Sequence, residues 1–266
     1  MTAHRGRVAR ALGLAKWSVE RFITRNFLLY FYAKKAVHFL PWLLPHEKDY
    51  FGLRLVLPEG EGLFLDIGAN DGISALSFRR INKTYSIFSL EPNPLHQQSL
   101  ERLKTKIGRF DYRLCAAGDT TTTAILKIPT YRGIPHHSGS FCAPQQQAII
   151  EAEFPARMVR EFKYISQTVP VIRIDDLHLS PTVVKIDAEG YDLKIVYGME
   201  ATIRRCRPIL MIENNPSNIE LISAFLTGYG YEISEYDYDG DRLVPYSGRR
   251  TRNVFFTSGV PAEAAD

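Results

Sequence analysis

A chain of 266 residues, 45% hydrophobic and 23% charged, has enough apolar material for a substantial core and no composition of a disordered or fibrous protein. Three widely separated cysteines, Cys115, Cys142 and Cys206, exclude a disulfide framework and a CxxC metal knuckle, and fit a reducing, cytoplasmic compartment. The net charge of +4 is uneven: residues 1–48 hold nine Lys and Arg against Glu20 and Glu47, a net of +7, which leaves the rest at −3.

The first feature along the chain is this basic, aromatic extension, read as a helical unit over 1–48, with the main domain over 49–266. Trp17, Phe22, Phe27, Phe31 and Trp42 are interspersed with Arg21, Arg25, Lys34 and Lys35. Its longest uncharged run, 26–33, is too short to span a bilayer, and no small-residue cleavage signature follows a clean apolar stretch. Two readings stand: helices capping the main domain, or an amphipathic segment resting on an anionic membrane surface, which would make the protein peripheral at the inner face. Pro41 and Pro45 end any helix there.

From residue 62 short apolar runs alternate with helical patterns. Residues 63–67 read as a buried strand broken at Gly68, and 71–80 as a helix. A second strand at 85–90 stops at Glu91-Pro-Asn-Pro94, and a helix over 95–107 precedes a third strand at 110–116. Residues 121–131 and 169–174 read as extended flanks of an irregular insertion. A fourth strand at 182–187, a helix near 191–200, a fifth strand at 208–213 and a helix at 217–227 follow. Residues 231–236 and 253–257 close the sheet, with Gly240 in the turn between them. This alternation predicts an α/β, Rossmann-like doubly wound fold, mostly parallel, with helices on both faces. Ligands on such sheets bind beyond the carboxyl ends of the strands, where the strand order reverses.

Chemistry-bearing residues gather at those ends. The first strand runs into Asp66-Ile-Gly-Ala-Asn-Asp-Gly72, whose glycines at 68 and 72 permit a tight turn. A dinucleotide fingerprint from Gly68 would need glycines at 70 and 73, where Asn70 and Ile73 stand, so a pyrophosphate is disfavoured. A ligand with an amino-acid end suits the loop better: Asp66 can face its ammonium and backbone amides its carboxylate. Glu91, at the next strand end, can accept both hydroxyls of a ribose. Asp119, after the third strand, is a candidate for an adenine amino group or a turn cap. Lys185 and Asp187 alternate onto one face of the fourth strand, Glu189 follows on the loop, and Glu213 ends the fifth strand. Such a cluster is costly unless its members pair or serve chemistry.

Phe64-Leu-Asp-Ile-Gly-Ala-Asn-Asp-Gly72, Leu90-Glu-Pro-Asn-Pro94, Val171-Ile-Arg-Ile-Asp-Asp-Leu177, Val184-Lys-Ile-Asp-Ala-Glu-Gly-Tyr-Asp-Leu193 and Arg207-Pro-Ile-Leu-Met-Ile-Glu213 together resemble the FkbM family of methyltransferases, over roughly residues 60–257. Tyr191-Asp192 departs from the family's small residue followed by Glu. The resemblance implies S-adenosylmethionine as methyl donor and transfer to oxygen, often a hydroxyl of a sugar or secondary metabolite. The candidate cofactor-binding set is then Asp66, Gly68, Asn70, Gly72, Glu91, Asn93 and Asp119. Asp187 is the first candidate for a general base, with Glu189 and Glu213 next and Lys185 as partner. His136 and His137, in the insertion 132–168, are candidates for a lid over the site. A divalent cation on Asp187, Glu189 and Glu213 is chemically conceivable, but the spacing does not demand one, and no metal is expected. The expected partner is a small-molecule or glycan acceptor; the net-acidic body argues against nucleic acid. The alternative from another class is a non-catalytic Rossmann-like module that binds cofactor or sugar without turnover.

Overall fold

The computed structural model describes residues 45–136, 139–152, 154, 156–248 and 251–259. The basic extension up to residue 44 and His137 lie outside the described residues.

Eight strands form the main sheet: β1 (Leu63–Ile67), β2 (Ser86–Leu90), β3 (Phe110–Arg113), β8 (Val183–Ile186), β9 (Ile209–Glu213), β10 (Tyr231–Asp237), β11 (Arg242–Pro245) and β12 (Asn253–Ser258). Their spatial order is β11-β10-β12-β9-β8-β1-β2-β3. β3, β2, β1, β8 and β9 are parallel, and β12 runs antiparallel between β9 and β10. The chain builds outward from β1 through β2 and β3, then returns to β8 on the other side of β1. That reversal opens the crevice at the carboxyl ends of β1 and β8.

The central strands are apolar throughout because both faces are covered. Leu65, Ile67, Val184, Ile186, Leu210 and Ile212 belong to one core layer. Phe64, Val183, Met211 and Phe255 belong to the other, with Phe78 of helix α2 (Ile73–Ile81) and Leu100 of α3 (Gln97–Ile107). Short helix α1 (Tyr50–Leu53) closes this second layer, with Tyr50 and Leu53 fully buried. Side chains alternate along a strand, and Asp66 lies opposite Lys185 in register, so both share the face of Phe64, Val183 and Met211. Two charged residues are thereby directed into the layer that α1 and α2 cover.

The third strand is shorter than the sequence pattern predicts. After Arg113 the chain leaves the main sheet, and β4 (Ala116–Ala117) pairs with β7 (Phe162–Ile172) in a second sheet of order β4-β7-β5-β6. β5 (Thr122–Tyr131) and β7 pair antiparallel from Thr122↔Val171 to Tyr131↔Phe162, so the insertion's return flank is a strand from Phe162 rather than irregular chain. β6 (Ile134–Pro135), α4 (Gln146–Ala152) and α5 (Ala156–Val159) complete this arm. Phe141, Ile150, Phe154 and Met158 give it a small core of its own.

The helix expected near 191–200 is two: α6 (Asp192–Tyr197) and α7 (Glu200–Cys206). They part at Gly198, where a side chain would lie 1.9 Å from the Gly118 carbonyl oxygen, so the backbones touch and the chain turns. Helix α8 (Ile219–Thr227) follows β9. Among the described residues no helix is long and apolar enough to cross a membrane.

Candidate active site

A cavity of about 700 Å³ lies over the carboxyl ends of β1, β2, β8 and β9. Its size is that of a small-molecule site.

One wall is the turn from β1 into α2, held against the end of β2. Gly68 and Ala69 donate backbone N–H bonds to the Leu90 carbonyl at 3.0 and 3.2 Å. Gly68 has φ +84°, and a Cβ there would lie 1.8 Å from the Asp187 carbonyl oxygen. The glycine therefore lets the ends of β1 and β8 meet. Glu91 is buried at the cavity wall, and its two carboxylate oxygens accept the Asn70 and Asn93 backbone N–H groups, each at 2.7 Å. Burial still pushes its carboxyl up to about 7, against those hydrogen bonds.

Several candidates support this wall without reaching the cavity. Asp66 is fully buried behind the turn, where its Oδ2 accepts Ser74 Oγ at 2.5 Å and Ser89 Oγ at 3.1 Å. Burial raises its carboxyl pKa, against the nearby Lys185 charge. It ties β1 to β2 and to the first turn of α2. Gly72, at φ +90°, begins α2, and a Cβ there would meet Leu103 at 2.5 Å. Asn93 accepts the Leu95 N–H at 3.0 Å and donates to Ser140 Oγ of the arm at 2.9 Å. Asp119 is exposed and lies away from the cavity, against Gly198. Because the chain peels away at β4, the place expected for Asp119 is taken by Cys115, Ala116 and Ala117, with Leu126, Phe141 and Cys142 of the arm. That end of the cavity is largely apolar.

The opposite wall is charged. Lys185 is almost wholly buried, and its Nζ lies 3.0 Å from Asp187 Oδ2, which faces the cavity. Burial works against the ammonium, but the Asp187, Asp66 and Glu47 carboxylates outweigh it and hold Lys185 above its ordinary range. Glu213 lies beside them, and burial, then the charges of Asp187, Asp192 and Glu189, push its carboxyl well up while Lys185 opposes them. Glu189, at φ +48°, accepts Gln146 Nε2 of the arm at 3.0 Å. Asp192 is buried, accepts the Ala188 N–H at 3.0 Å, and has its carboxyl raised to about 6, chiefly by burial.

The arm closes over both walls. His136, Ser140, Phe141 and Cys142 line the cavity, and His136 is buried with its ring edge-on to Phe154, 5.0 Å between centroids. Among the described residues no group of three or more His, Cys, Asp and Glu side chains is placed to hold a metal ion.

His46, Glu47 and Arg252 line the cavity without any strand-end signal in the sequence. Glu47 is buried; its Oε1 lies 2.7 Å from Arg252 Nε, and its Oε2 accepts Asn253 Nδ2 at 2.9 Å. Asp49 accepts the Asn253 backbone N–H at 2.9 Å. His46 pairs with Ser77 of α2 through Nδ1 at 2.7 Å. A strap over residues 45–49 thus joins the last strand to α2 across the site.

No curated protein matches the chain. The solved structure of Methyltransferase FkbM from Methylobacillus flagellatus KT is similar over 79% of this chain and 48% of its own, at 19% identity and TM-score 0.50. This chain thus spans about half the length of that one, and the likeness is one of fold. A precorrin-6y C5,15-methyltransferase from Geobacter metallireducens GS-15 covers 77% of this chain and 84% of its own, at 14% identity and TM-score 0.39. An rRNA methylase from Streptococcus thermophilus covers 80% and 96%, at 9% identity and TM-score 0.40. Residues 66–233, which run from the buried carboxylate of β1 to the start of β10 and hold both cavity walls apart from the strap and Arg252, match the Methyltransferase FkbM domain, and the chain belongs to that family.

Proposed function

We propose that this protein transfers a methyl group from S-adenosylmethionine to a hydroxyl oxygen of a sugar, glycan or secondary metabolite. The observation that carries the proposal is the pairing of two unlike walls across one cavity: a carboxylate already fixed by two backbone amides, and an aspartate ion-paired to a buried lysine.

The residues fit the donor. Each Glu91 oxygen accepts one amide and keeps a lone pair for a ribose hydroxyl. The turn over 68–70 lets backbone approach the amino-acid end. The apolar end formed by Ala116, Leu126 and Phe141 suits a flat heteroaromatic ring. When bound, S-adenosylmethionine supplies an electrophilic methyl group on sulfur. Asp187 would accept the proton that the acceptor hydroxyl gives up as its oxygen takes that methyl group, the thioether being the leaving group. Lys185 fixes the Asp187 carboxylate in one position, and the arm excludes water. The carboxyl and ammonium groups at this end favour a polyhydroxylated acceptor over an apolar one.

The test combines binding with labelled transfer. S-adenosylhomocysteine is expected to raise the melting temperature, since a ligand that binds only the folded state stabilises it. Label from S-adenosylmethionine is expected to enter a fraction of glycan or lipid-linked sugar extracts. Asp187→Asn is expected to keep ligand binding and lower label transfer by about 10²-fold or more. Stabilisation by NAD instead of S-adenosylhomocysteine would overturn the reading, and binding without transfer to any fraction would make the protein a cofactor-binding module.

A further inference from the structure

The strap and the residue before β12 lie outside the stretch that matches the family, yet both reach the charged wall. The sheet register explains how. Asn253 lies opposite Glu213, and Asn214 donates its N–H to the Arg252 carbonyl at 2.9 Å, so Arg252 sits at the rim beside the end of β9. Burial works against the Arg252 guanidinium, but the charges of Glu47, Asp187, Glu213 and Asp49 raise its pKa. It pairs with Glu47 at 2.7 Å. Glu47 is fixed at Oε2 by Asn253, and His46 Nε2 lies 3.2 Å from the Oε1 that holds Arg252; a buried acid held by these partners is a strong anchor for a guanidinium.

We propose that Glu47 is a positioning residue that holds the Arg252 guanidinium at the edge of the acceptor wall and so keeps it off the Asp187–Glu213 carboxyl pair. The inference rests on the reading of that wall as the acceptor site. The competition is local. Glu213 faces Asp187, Lys185 and Glu189 from the end of β8 and its loop, Asp192 from α6, and Arg252 from the start of β12. Lys185 is committed to Asp187 at 3.0 Å, so Arg252 is the cation with latitude to change partner. Released from Glu47, it would still line the same cavity as Glu213 and Asp187. A guanidinium on Glu213 would ionise it, and one on Asp187 would compete with the acceptor hydroxyl for the carboxylate. The strap would thereby keep one carboxyl protonated, able to donate a hydrogen bond to the acceptor, beside one that takes its proton.

The experiment reads Glu213 directly. Full-length protein carrying carboxyl-¹³C glutamate is saturated with S-adenosylhomocysteine and titrated by NMR, with Glu213 assigned through Glu213→Gln. In Glu47→Gln, whose amide oxygen can still accept Asn253, the Glu213 pKa is expected to fall by about one pH unit or more. Adding Arg252→Ala to that variant is expected to restore the parent value or exceed it. Local disorder would not be reversed by a second truncation, so the restoration separates positioning from a merely structural role. A Glu213 titration unmoved by Glu47→Gln, or a fall that persists in the double variant, would overturn the proposal. Failure of S-adenosylhomocysteine to bind the parent would instead overturn the cofactor reading, and the titration would still report on Glu47.

Discussion

Glu91 faces two demands that pull its proton in opposite directions. Burial raises its carboxyl to about 7, so the folded protein holds a proton there that an unfolded chain releases near 4.5. For a group raised in this way, the stability contribution is complete below the unfolded value and is lost as pH rises through about 7. In the proposed donor complex a ribose would donate its hydroxyls to the carboxylate, so ligand binding would pull the other way and strengthen as the group ionises. The melting-temperature gain from S-adenosylhomocysteine is therefore expected to grow between about pH 6 and pH 8, while the ligand-free protein loses this contribution earlier, between the unfolded value of 4.5 and about 7. Glu91→Gln is expected to flatten both trends and to weaken binding by about 1.5–3 kcal/mol. A parent whose ligand-induced gain shrinks across that window would rule out Glu91 as the hydroxyl acceptor. Glu91 and the Lys185–Asp187 pair were legible in the sequence because strand ends in an α/β sheet converge on one rim. Glu47 and Arg252 were not, because their meeting depends on β12 slotting between β9 and β10, a long-range event with no local pattern. Asp66 and Gly72 carry the motif's signature yet serve the turn's own geometry from behind the wall.

At the scale of elements, the parallel part of the main sheet was readable from alternation, since β1, β2, β8 and β9 are short apolar runs ending in polar turns; the half-exposed edge strand β11, which pairs with β10, was not. The arm was harder to read. β5 was read as extended over 121–131, but β7 was read only from 169, because its first half, Phe162–Thr168, is mostly exposed and lacks a buried strand's signature, and its pairing with β5 spans the whole insertion. The misplacement of Asp119 follows from the same departure, for the turn after β4 belongs to the arm's sheet and not to the main one. Among the described residues, hydrogen bonds from Asn93 to Ser140 and from Gln146 to Glu189 tie the arm to the two walls. Each is worth about 1 kcal/mol, less than the apolar cluster of Phe141, Ile150, Phe154 and Met158 contributes to the arm itself. Losing both is thus expected to loosen the arm from the walls without unfolding it. In Ser140→Ala/Gln146→Ala, amide hydrogen exchange at 139–152 should accelerate about tenfold while that of β1, β2 and β8 stays unchanged. Unaltered exchange at 139–152 would show that apolar packing alone seats the arm.

Over the whole molecule, the strap joins regions far apart in sequence: Asp49 and Asn253 meet across 204 positions. Tyr50 and Leu53 then seal the sheet face that holds Asp66 and Lys185. Where the chain is cut therefore decides what a truncation tests. Removing residues 1–53 takes away two fully buried side chains as well as Glu47, and truncating one buried aromatic alone costs about 3–5 kcal/mol. Removing residues 1–44 spares the strap and leaves a body of net charge −3, since the eight basic residues of that segment exceed Glu20 by seven. We propose that residues 1–44 rest on an anionic membrane surface, where each basic residue contributes about 1 kcal/mol and the attraction fades within about a Debye length. An acidic body has no such attraction of its own. The full chain is accordingly expected to sediment with phosphatidylserine-containing vesicles at low salt and to be released at high salt. Residues 45–266 are expected to stay in solution with S-adenosylhomocysteine binding intact, and residues 54–266 to melt markedly lower or aggregate. If the full chain ignores the vesicles at every salt concentration and residues 45–266 aggregate, the extension covers an apolar surface of the domain instead, and its aromatic residues pack against protein.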